Sequence, residues 1–202
     1  MAVKAVFFDV GETLVNESGY WGRVARLVGV PPHVVLAALG ATIARGEHHR
    51  HVFEILGVDR PAAVDDVVYA RDELYLDARP CLAQLKRAGY LVGIAGNQTA
   101  ALERWARDAD LPVDVIGSSA GWGVSKPERA FYARVVAEAG CYAGEVAYVG
   151  DRIDNDVVPA LEAGLVAVHV RRGPWAYLQP AVARAHVELD SLTQLPQALA
   201  RV

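Results

Sequence analysis

Lysine, methionine and cysteine are scarce in this chain of 202 residues, and it contains no long apolar run. No stretch approaches the ~18 uncharged apolar residues that a membrane span requires. The apolar N-terminal segment is broken by Asp9 and carries no cleavage-site pattern of a secretory signal. Cys81 and Cys141 lack the spacing of a CxxC or metal-binding motif, so two reduced thiols are expected. These absences predict a cytoplasmic protein without a membrane partner.

Basic charge is also limited. The formal net charge is −4 at pH 7, which argues against a nucleic-acid partner bound through counterion release. Of the 20 basic residues, only Lys4, Lys86 and Lys126 are lysines. Apolar residues make up 53% and charged residues 22% of the chain, a globular composition that excludes wholesale disorder. The length is large for one domain and small for two, so a core with an insertion is expected.

Five short apolar runs predict the strands of a parallel sheet. They are nearly continuous rather than alternating, which is typical of strands buried on both faces. They lie at residues 3–9, 90–95, 113–117, 145–150 and 165–170. Helical segments are predicted at residues 80–88, 99–109, 128–139 and 155–163. Strand–helix–strand repetition of this kind predicts an α/β fold with a Rossmann-like three-layer core.

The segment between the first two predicted strands differs from the rest. Residues 16–79 show no strand pattern, several amphipathic stretches, and two breaks in which a glycine is followed by proline. An all-helical cap at residues 16–79, inserted into a core of residues 1–15 and 80–202, is the simplest interpretation. An elaborated crossover within a single domain is the alternative, although one crossover rarely needs several helices.

Polar side chains collect where the predicted strands end. Asp9 follows the first strand, Asn97 and Gln98 follow the second, and Asp151 follows the fourth, with Asp156 close behind. Ligands of open α/β sheets bind at this edge. Carboxylates gathered there repel one another unless a cation joins them, and Mg²⁺ is a hard ion that prefers such oxygens. A Mg²⁺ site that also receives a phosphorylated small molecule is therefore expected.

These loops resemble the motifs of the haloacid dehalogenase (HAD) superfamily of hydrolases, in the family's order and over almost the whole chain. The loop Asp9-Val-Gly-Glu-Thr13 is similar to the family's DxDGT-like motif. Asn97 stands in the second motif, Lys126-Pro127 matches the lysine-proline pair, and Gly150-Asp151 to Asp156 matches GDxxxxD. The insertion occupies the position of the family's helical cap.

The resemblance assigns a role to each motif residue. Asp9 would be the nucleophile, because a carboxylate can attack a phosphoryl group and form an aspartyl-phosphate. Lys126 would neutralise charge on the nucleophile and on the phosphoryl group, and Thr13 would orient the Asp9 loop by a hydrogen bond. The expected metal ligands are Asp9, the backbone carbonyl of Gly11, Asp151 and Asp156. The expected phosphate-binding residues are Gly96, Asn97 and Gln98.

Two glycines depart from the family pattern. Gly11 stands where the phosphatases of the family carry the acid that protonates the leaving group, a contribution of about 10²–10⁴-fold in rate. Gly96 stands where the family has serine or threonine, so one hydroxyl donor is missing. Glu12 or a residue of the cap could supply the proton. Neighbouring side chains of an extended loop tend to point in different directions, so Glu12 is expected to face away from the phosphate.

Three functions are compatible with this pattern. The favoured one is a Mg²⁺-dependent phosphatase of a small phosphorylated metabolite. A metal-independent 2-haloacid dehalogenase would need no acid at Gly11, although Asp151 and Asp156 weigh against it. A catalytically impaired relative that binds a phosphorylated ligand or a partner is the third. The cluster from His48 to His51 could face the site from the cap, and a solvated helix face is the simpler interpretation.

Overall fold

The computed structural model describes residues 2–180 and 185–202, and these form a six-stranded parallel sheet flanked by helices. The spatial order is β3-β2-β1-β4-β5-β6. The strands are β1 (Ala5–Phe8), β2 (Leu91–Gly96), β3 (Val115–Ser118), β4 (Val146–Gly150), β5 (Val166–Val170) and β6 (Val187–Leu189). Every pairing is parallel, and β1 lies between β2 and β4. The predicted α/β fold with a Rossmann-like core is confirmed.

The ten α-helices of the described residues divide between the core and the segment after β1. They are α1 (Ser18–Val28), α2 (Pro32–Ala44), α3 (Val52–Ile55), α4 (Ala78–Arg87), α5 (Ala100–Asp108), α6 (Ser119–Trp122), α7 (Arg129–Ala139), α8 (Val158–Glu162), α9 (Gly173–Leu178) and α10 (Leu195–Leu199). The helix predicted at residues 155–163 begins as a π-helical turn, Ile153–Val157, and continues as α8. No single helix in the described ranges is long and apolar enough to cross a membrane. Only α1 and α2 taken together reach that length and apolarity, and the chain bends by 109° between the two helices.

The two faces of β1 explain its continuous apolar sequence. Val6 and Phe8 enter one buried cluster with side chains of β2 and α4, whereas Ala5 and Phe7 enter another with side chains of α7. Each of these four residues is at most 1% exposed. A strand buried on both faces has no polar alternation, which is why the sequence pattern identified it. β6 was not predicted, because it has only three residues at an edge and just one of them, Leu189, is buried.

The segment after β1 is helical in the structure, and its assignment as a cap domain at residues 16–79 stays a prediction. It contains α1, α2, α3 and short 3₁₀ turns around a separate buried cluster. Trp175 of α9, in the core, also belongs to that cluster. The two ends of the insertion run side by side: Asn16 N donates to Glu73 O at 2.8 Å, and Tyr75 N donates to Leu14 O at 2.9 Å. The crossing point is thus at residues 73–75 rather than at the predicted boundary of 79.

Asp77 joins three parts of the core beside this crossing point. Its carboxylate accepts two hydrogen bonds from Arg172 at 3.0 and 2.7 Å, and also bonds the Ser191 hydroxyl and the Leu192 amide. The Arg172 guanidinium lies over the Tyr75 ring at 4.3 Å and donates to the Thr13 carbonyl. Burial raises the pKa of Asp77, but the hydrogen bonds from Arg172 and Ser191 outweigh it and lower this pKa overall. Asp77 therefore stabilises the loop that follows β1 through Arg172, which contacts the Thr13 carbonyl of that loop.

We expect Asp77→Asn to lower the free energy of unfolding by about 2 kcal/mol at pH 7, since it removes the charge that pairs with a buried guanidinium. A lowered folded-state pKa contributes stability above the unfolded pKa of ~4 and loses it as the pH falls through the folded value. The difference in the free energy of unfolding between wild type and variant, measured with urea, should therefore become smaller below pH ~4. Asp66→Asn, at an exposed aspartate of the cap, should change stability by less than ~0.5 kcal/mol. An equal effect of both substitutions would contradict the structural role of Asp77.

Candidate active site

Asp9 and Lys126 form the centre of the polar edge of the sheet. Asp9 leaves β1 with its backbone amide donating to Val149 O of β4 at 2.8 Å. Lys126 Nζ lies 2.8 Å from Asp9 Oδ1 and 2.7 Å from Asp156 Oδ1. The three residues are between 1% and 7% exposed. Burial alone would lower the pKa of Lys126, but the carboxylates of Asp156 and Asp9 reverse the effect and raise it, so the ammonium is charged.

Asn97 holds the lysine loop in place. Its Nδ2 donates to the Lys126 carbonyl at 2.9 Å, and its Oδ1 accepts from the Lys126 amide at 2.8 Å. This reciprocal pair connects the end of β2 to the loop between α6 and α7. The Asn97 side chain therefore positions Lys126, and only the remaining amide hydrogen or the backbone is left for the predicted contact with phosphate.

Three buried carboxylates lie close together at this edge of the sheet. One oxygen each of Asp9, Asp151 and Asp156 can be chosen so that all lie within 4.8 Å of one another. Asp156 Oδ2 is held by the Arg152 amide at 3.0 Å, whereas the buried Asp151 Oδ2 has no hydrogen-bond partner. Burial, together with the charges of Asp156 and Asp9, raises the pKa of Asp151 well above its usual range. Burial also raises the pKa of Asp156, to about 6, against the opposing effect of Lys126.

This arrangement fits a small divalent cation. Two of the three carboxylates share one lysine, and an oxygen of the third is buried without a partner, which is costly unless a cation completes the site. An all-oxygen donor set of this kind suits Mg²⁺. The residues available to hold the ion are Asp9, Asp151 and Asp156. The backbone carbonyl of Gly11 stays a prediction as a fourth ligand.

A comparison with known protein families identifies the family of this chain. Residues 3–164 match the family described as haloacid dehalogenase-like hydrolase. The chain belongs to this family. The resemblance in its motifs is thereby confirmed, and the chain is an enzyme, a HAD hydrolase.

Two curated relatives of this HAD hydrolase carry the same name. The glyceraldehyde 3-phosphate phosphatase of Methanopyrus kandleri is 26% identical over 208 residues, covering 88% of this chain and 88% of the relative. The protein of that name from Methanocaldococcus jannaschii is 30% identical, covering 86% of this chain and 87% of the relative. These similarities support phosphatase activity within the family.

Solved structures include both reaction types of the family. A HAD phosphatase from Thermococcus onnurineus superimposes with a TM-score of 0.67 at 22% identity, covering 98% of each chain. An L-2-haloacid dehalogenase superimposes with a TM-score of 0.75 at 17% identity, covering 99% of this chain and 100% of that one. At such low identity these structures establish the HAD fold and do not separate the two reactions.

Thr13 does not make the hydrogen bond expected of it, and the predicted phosphate contact of Gln98 stays a prediction. The Thr13 hydroxyl is buried without a hydrogen-bond partner, so the expected bond that orients the Asp9 loop is absent. The loop is instead shaped by its backbone, with the amides of Thr13, Leu14 and Val15 all donating to the Val10 carbonyl. Gln98 lies beside the site with its Oε1 buried and without a partner.

Gly96 has a steric reason to be glycine in this HAD site. A Cβ atom there would lie 2.5 Å from Asp9 Oδ1, which is closer than such contacts occur. A serine or threonine at this position would therefore push the Asp9 carboxylate away from Lys126. The second motif therefore lacks the hydroxyl of serine or threonine because the Asp9 carboxylate lies too close to position 96 for a side chain.

Glu12 faces away from the nucleophile, as its position in the loop predicted. Its backbone has a φ of 50°, in the left-handed region that favours glycine. Its Oε1 accepts from the Glu17 amide at 3.2 Å, and its Oε2 accepts from the Tyr75 hydroxyl at 2.6 Å. Burial raises the pKa of Glu12, partly offset by the hydrogen bond from Tyr75. Both oxygens are thus engaged at the boundary between cap and core.

Glu17 is a site residue that sequence analysis did not single out. It is partly buried, and its Oε1 accepts from the Tyr69 hydroxyl at 2.6 Å. Burial and the nearby negative charges of Glu12 and Asp9 raise the pKa of Glu17 to about 7. Its only sequence signal is its place, a few residues after the first motif at the start of the cap. The contact of the Glu17 side chain with Gly11 can be seen only in the folded structure.

The histidine cluster lies on the cap without forming a metal site. His51 Nδ1 lies 2.8 Å from Glu54 Oε2, and His48 Nδ1 accepts from the Arg50 amide. Residues His49–His51 form a short 3₁₀ turn with His48 at its start. In the described part of the chain, the group of acidic, cysteine or histidine side chains placed to bind metal is the one at Asp9.

Proposed function

We propose that this HAD hydrolase is a Mg²⁺-dependent phosphatase that uses Asp9 as the nucleophile. The observation that carries the proposal is the buried Asp9 carboxylate, paired with Lys126 beside the unpartnered oxygen of Asp151. An unpartnered oxygen beside two further carboxylates is available to bind a cation, and a phosphomonoester supplies further oxygens for that cation. A metal-independent dehalogenase reaction would not require Asp151 and Asp156 as metal ligands.

Each residue of the site has a separate role in the proposed reaction. Asp9 attacks the phosphorus atom, and the ester oxygen leaves as the aspartyl-phosphate forms. Lys126 stabilises the carboxylate before attack and the phosphoryl oxygens during transfer, and Asp156 holds the ammonium from the other side. Asn97 fixes the lysine loop. A bound Mg²⁺ ion would neutralise phosphoryl charge and orient the phosphate relative to Asp9.

The substrate class is inferred from the relatives. Both curated relatives act, by name, on a triose phosphate. We infer a small phosphorylated metabolite of similar size for this chain, handled without nucleic acid or membrane. Glyceraldehyde 3-phosphate is the first compound to test.

A panel of phosphomonoesters and 2-haloacids tests this function. Purified protein should release inorganic phosphate from glyceraldehyde 3-phosphate or a related ester with Mg²⁺ and lose this activity with EDTA. Release of chloride from 2-chloropropionate without metal would favour the dehalogenase alternative. Binding of Mg²⁺ or phosphate without turnover of any compound would favour the catalytically impaired relative.

Asp151→Asn separates metal binding from folding. The substitution removes a buried carboxylate without a full set of partners, so the metal-free protein should gain about 1–2 kcal/mol in stability. Mg²⁺ should raise the melting temperature of the wild type, since an ion that binds only the folded state stabilises it, and should leave the variant unchanged. Thermal unfolding with Mg²⁺ or EDTA measures both effects.

Asp154→Asn is the matched control for this experiment. Asp154 lies on the same loop, about half exposed and paired with Arg152. This variant should keep the response of the melting temperature to Mg²⁺. A full response in Asp151→Asn would show that the ion is held elsewhere.

A further inference from the structure

Glu17 occupies the space that the missing acid of the first motif would fill. A Cβ atom at Gly11 would lie 2.3 Å from Glu17 Oε1 and 2.8 Å from Glu17 Cδ. A carbon–carbon bond measures about 1.5 Å, so an aspartate carboxyl at position 11 and the Glu17 carboxyl would compete for one volume. Glu17 can occupy this space only because residue 11 is a glycine and has no side chain.

The Glu17 side chain is directed into the site rather than along its own helix. Glu17 immediately precedes α1, a position from which acidic side chains commonly cap the helix. It makes no such capping bond. Its Oε1 instead accepts from Tyr69, a buried residue of the insertion, and its backbone amide donates to Glu12. The Tyr69 hydroxyl and the Trp21 side chain, both of the insertion, therefore hold the carboxyl beside Gly11, and the Glu17 amide ties its backbone to the core.

We propose that Glu17 is the general acid–base residue of this enzyme, supplied by the cap in place of the side chain missing at Gly11. The proposal rests on the phosphatase function above. Glu12 is a weaker candidate, because its side chain lies against Gly173, whereas the Glu17 side chain lies in the space beside Gly11. Tyr69 and Glu12 are positioning residues, since they act through Glu17.

The proton balance over the two steps is complete. As the Asp9 oxygen bonds to phosphorus, the bond from phosphorus to the ester oxygen breaks, and that oxygen takes the proton of the Glu17 carboxyl and leaves as an alcohol. In the second step the Glu17 carboxylate takes a proton from water as the water oxygen attacks the aspartyl-phosphate. The bond from phosphorus to the Asp9 oxygen breaks, phosphate leaves, and both side chains return to their starting states.

Glu17→Gln tests the proposal through the leaving group. The amide keeps the size of the side chain and can still accept from Tyr69, but it cannot donate and recover a proton in these steps. For glyceraldehyde 3-phosphate, whose alkoxide needs a proton, kcat/KM should fall about 10²-fold or more. For p-nitrophenyl phosphate, whose phenolate leaves without one, kcat/KM should change by less than ~3-fold. This ester should also give a burst of p-nitrophenol, because hydrolysis of the aspartyl-phosphate now lacks its base.

A relocation of the acid provides an independent readout. Glu17→Ala opens the space at position 11, so Gly11→Asp combined with it should recover at least ~10-fold of the kcat/KM lost on the alkyl ester. Gly11→Asp alone should lower activity, because its side chain overlaps Glu17. Glu54→Gln, at an exposed glutamate of the cap, is the matched control and should leave both esters unaffected.

The outcomes are distinguishable. An equal loss on both esters without a burst would make Glu17 structural and overturn the proposal, as would full activity of Glu17→Gln on the alkyl ester. A gain in Gly11→Asp alone would also overturn it. A wild-type protein that hydrolyses neither ester with Mg²⁺ would overturn the proposed function first, and this inference with it.

Discussion

Asp9→Asn should reduce phosphate release by about 10⁴-fold or more while leaving the protein folded. The carboxylate is the attacking group, and the carboxamide that replaces it has the same shape but is a poor nucleophile. The Lys126 ammonium keeps Asp156 as a partner, so the melting temperature should change little. Asp156 is not free to take over the attack, because it is engaged by Lys126 and by the Arg152 amide.

Acid quenching during turnover makes this prediction specific. With phosphate-labelled substrate, wild-type protein should retain label at Asp9 and Asp9→Asn should retain none. Asp108→Asn, at an exposed aspartate at the end of α5, should behave as wild type. Label on the Asp9→Asn protein would place the nucleophile elsewhere and contradict the aspartyl-phosphate mechanism.

Lys126→Met should be costly for both folding and catalysis. The ammonium is the shared counter-ion of Asp9 and Asp156, and its removal leaves two buried carboxylates facing each other. We expect a loss of about 3 kcal/mol in the free energy of unfolding. We also expect kcat to fall about 10²–10³-fold, since a preorganised positive charge is lost where the phosphoryl oxygens develop negative charge.

A second substitution separates the two effects of Lys126. Asp156→Asn added to Lys126→Met should recover much of the stability, because it removes one of the unpaired charges, and should leave kcat low. Lys86→Met removes a half-exposed lysine that pairs with Asp114 and should cost less than ~1 kcal/mol without loss of activity. Normal kcat in a folded Lys126→Met protein would exclude the lysine from catalysis.

The strands could be predicted from the sequence where burial on both faces produces a continuous apolar run. β1, β2, β4 and β5 are buried on both faces, so their continuous apolar runs gave both their positions and the parallel sheet. β6 is too short and too exposed to produce such a pattern. The return of the insertion was placed at residue 79 rather than 73–75, because the crossing depends on backbone hydrogen bonds between segments about 60 residues apart in sequence.

The candidate site was predictable to the extent that each side chain follows its own strand. Asp9, Lys126, Asp151 and Asp156 meet because the ends of parallel strands meet at one edge. The roles of Asn97 and Thr13 were less accessible, because a hydrogen bond depends on which backbone group lies opposite. Glu17 has no motif at all, and its relation to Gly11 arises only from the packing of α1 against the loop after β1.

The side-by-side ends of the insertion also bear on how this protein could change over evolutionary time. Val15 and Leu74 form one antiparallel bridge, so the chain leaves and re-enters the core at almost the same point. Everything between them can lengthen, shorten or be exchanged without altering the path of β1 or the pairing of the sheet, since the two ends need only remain neighbours. Substrate preference is then free to diverge in the cap, except at Glu17. A replacement cap that lacked this residue would have to arrive together with a new side chain at position 11.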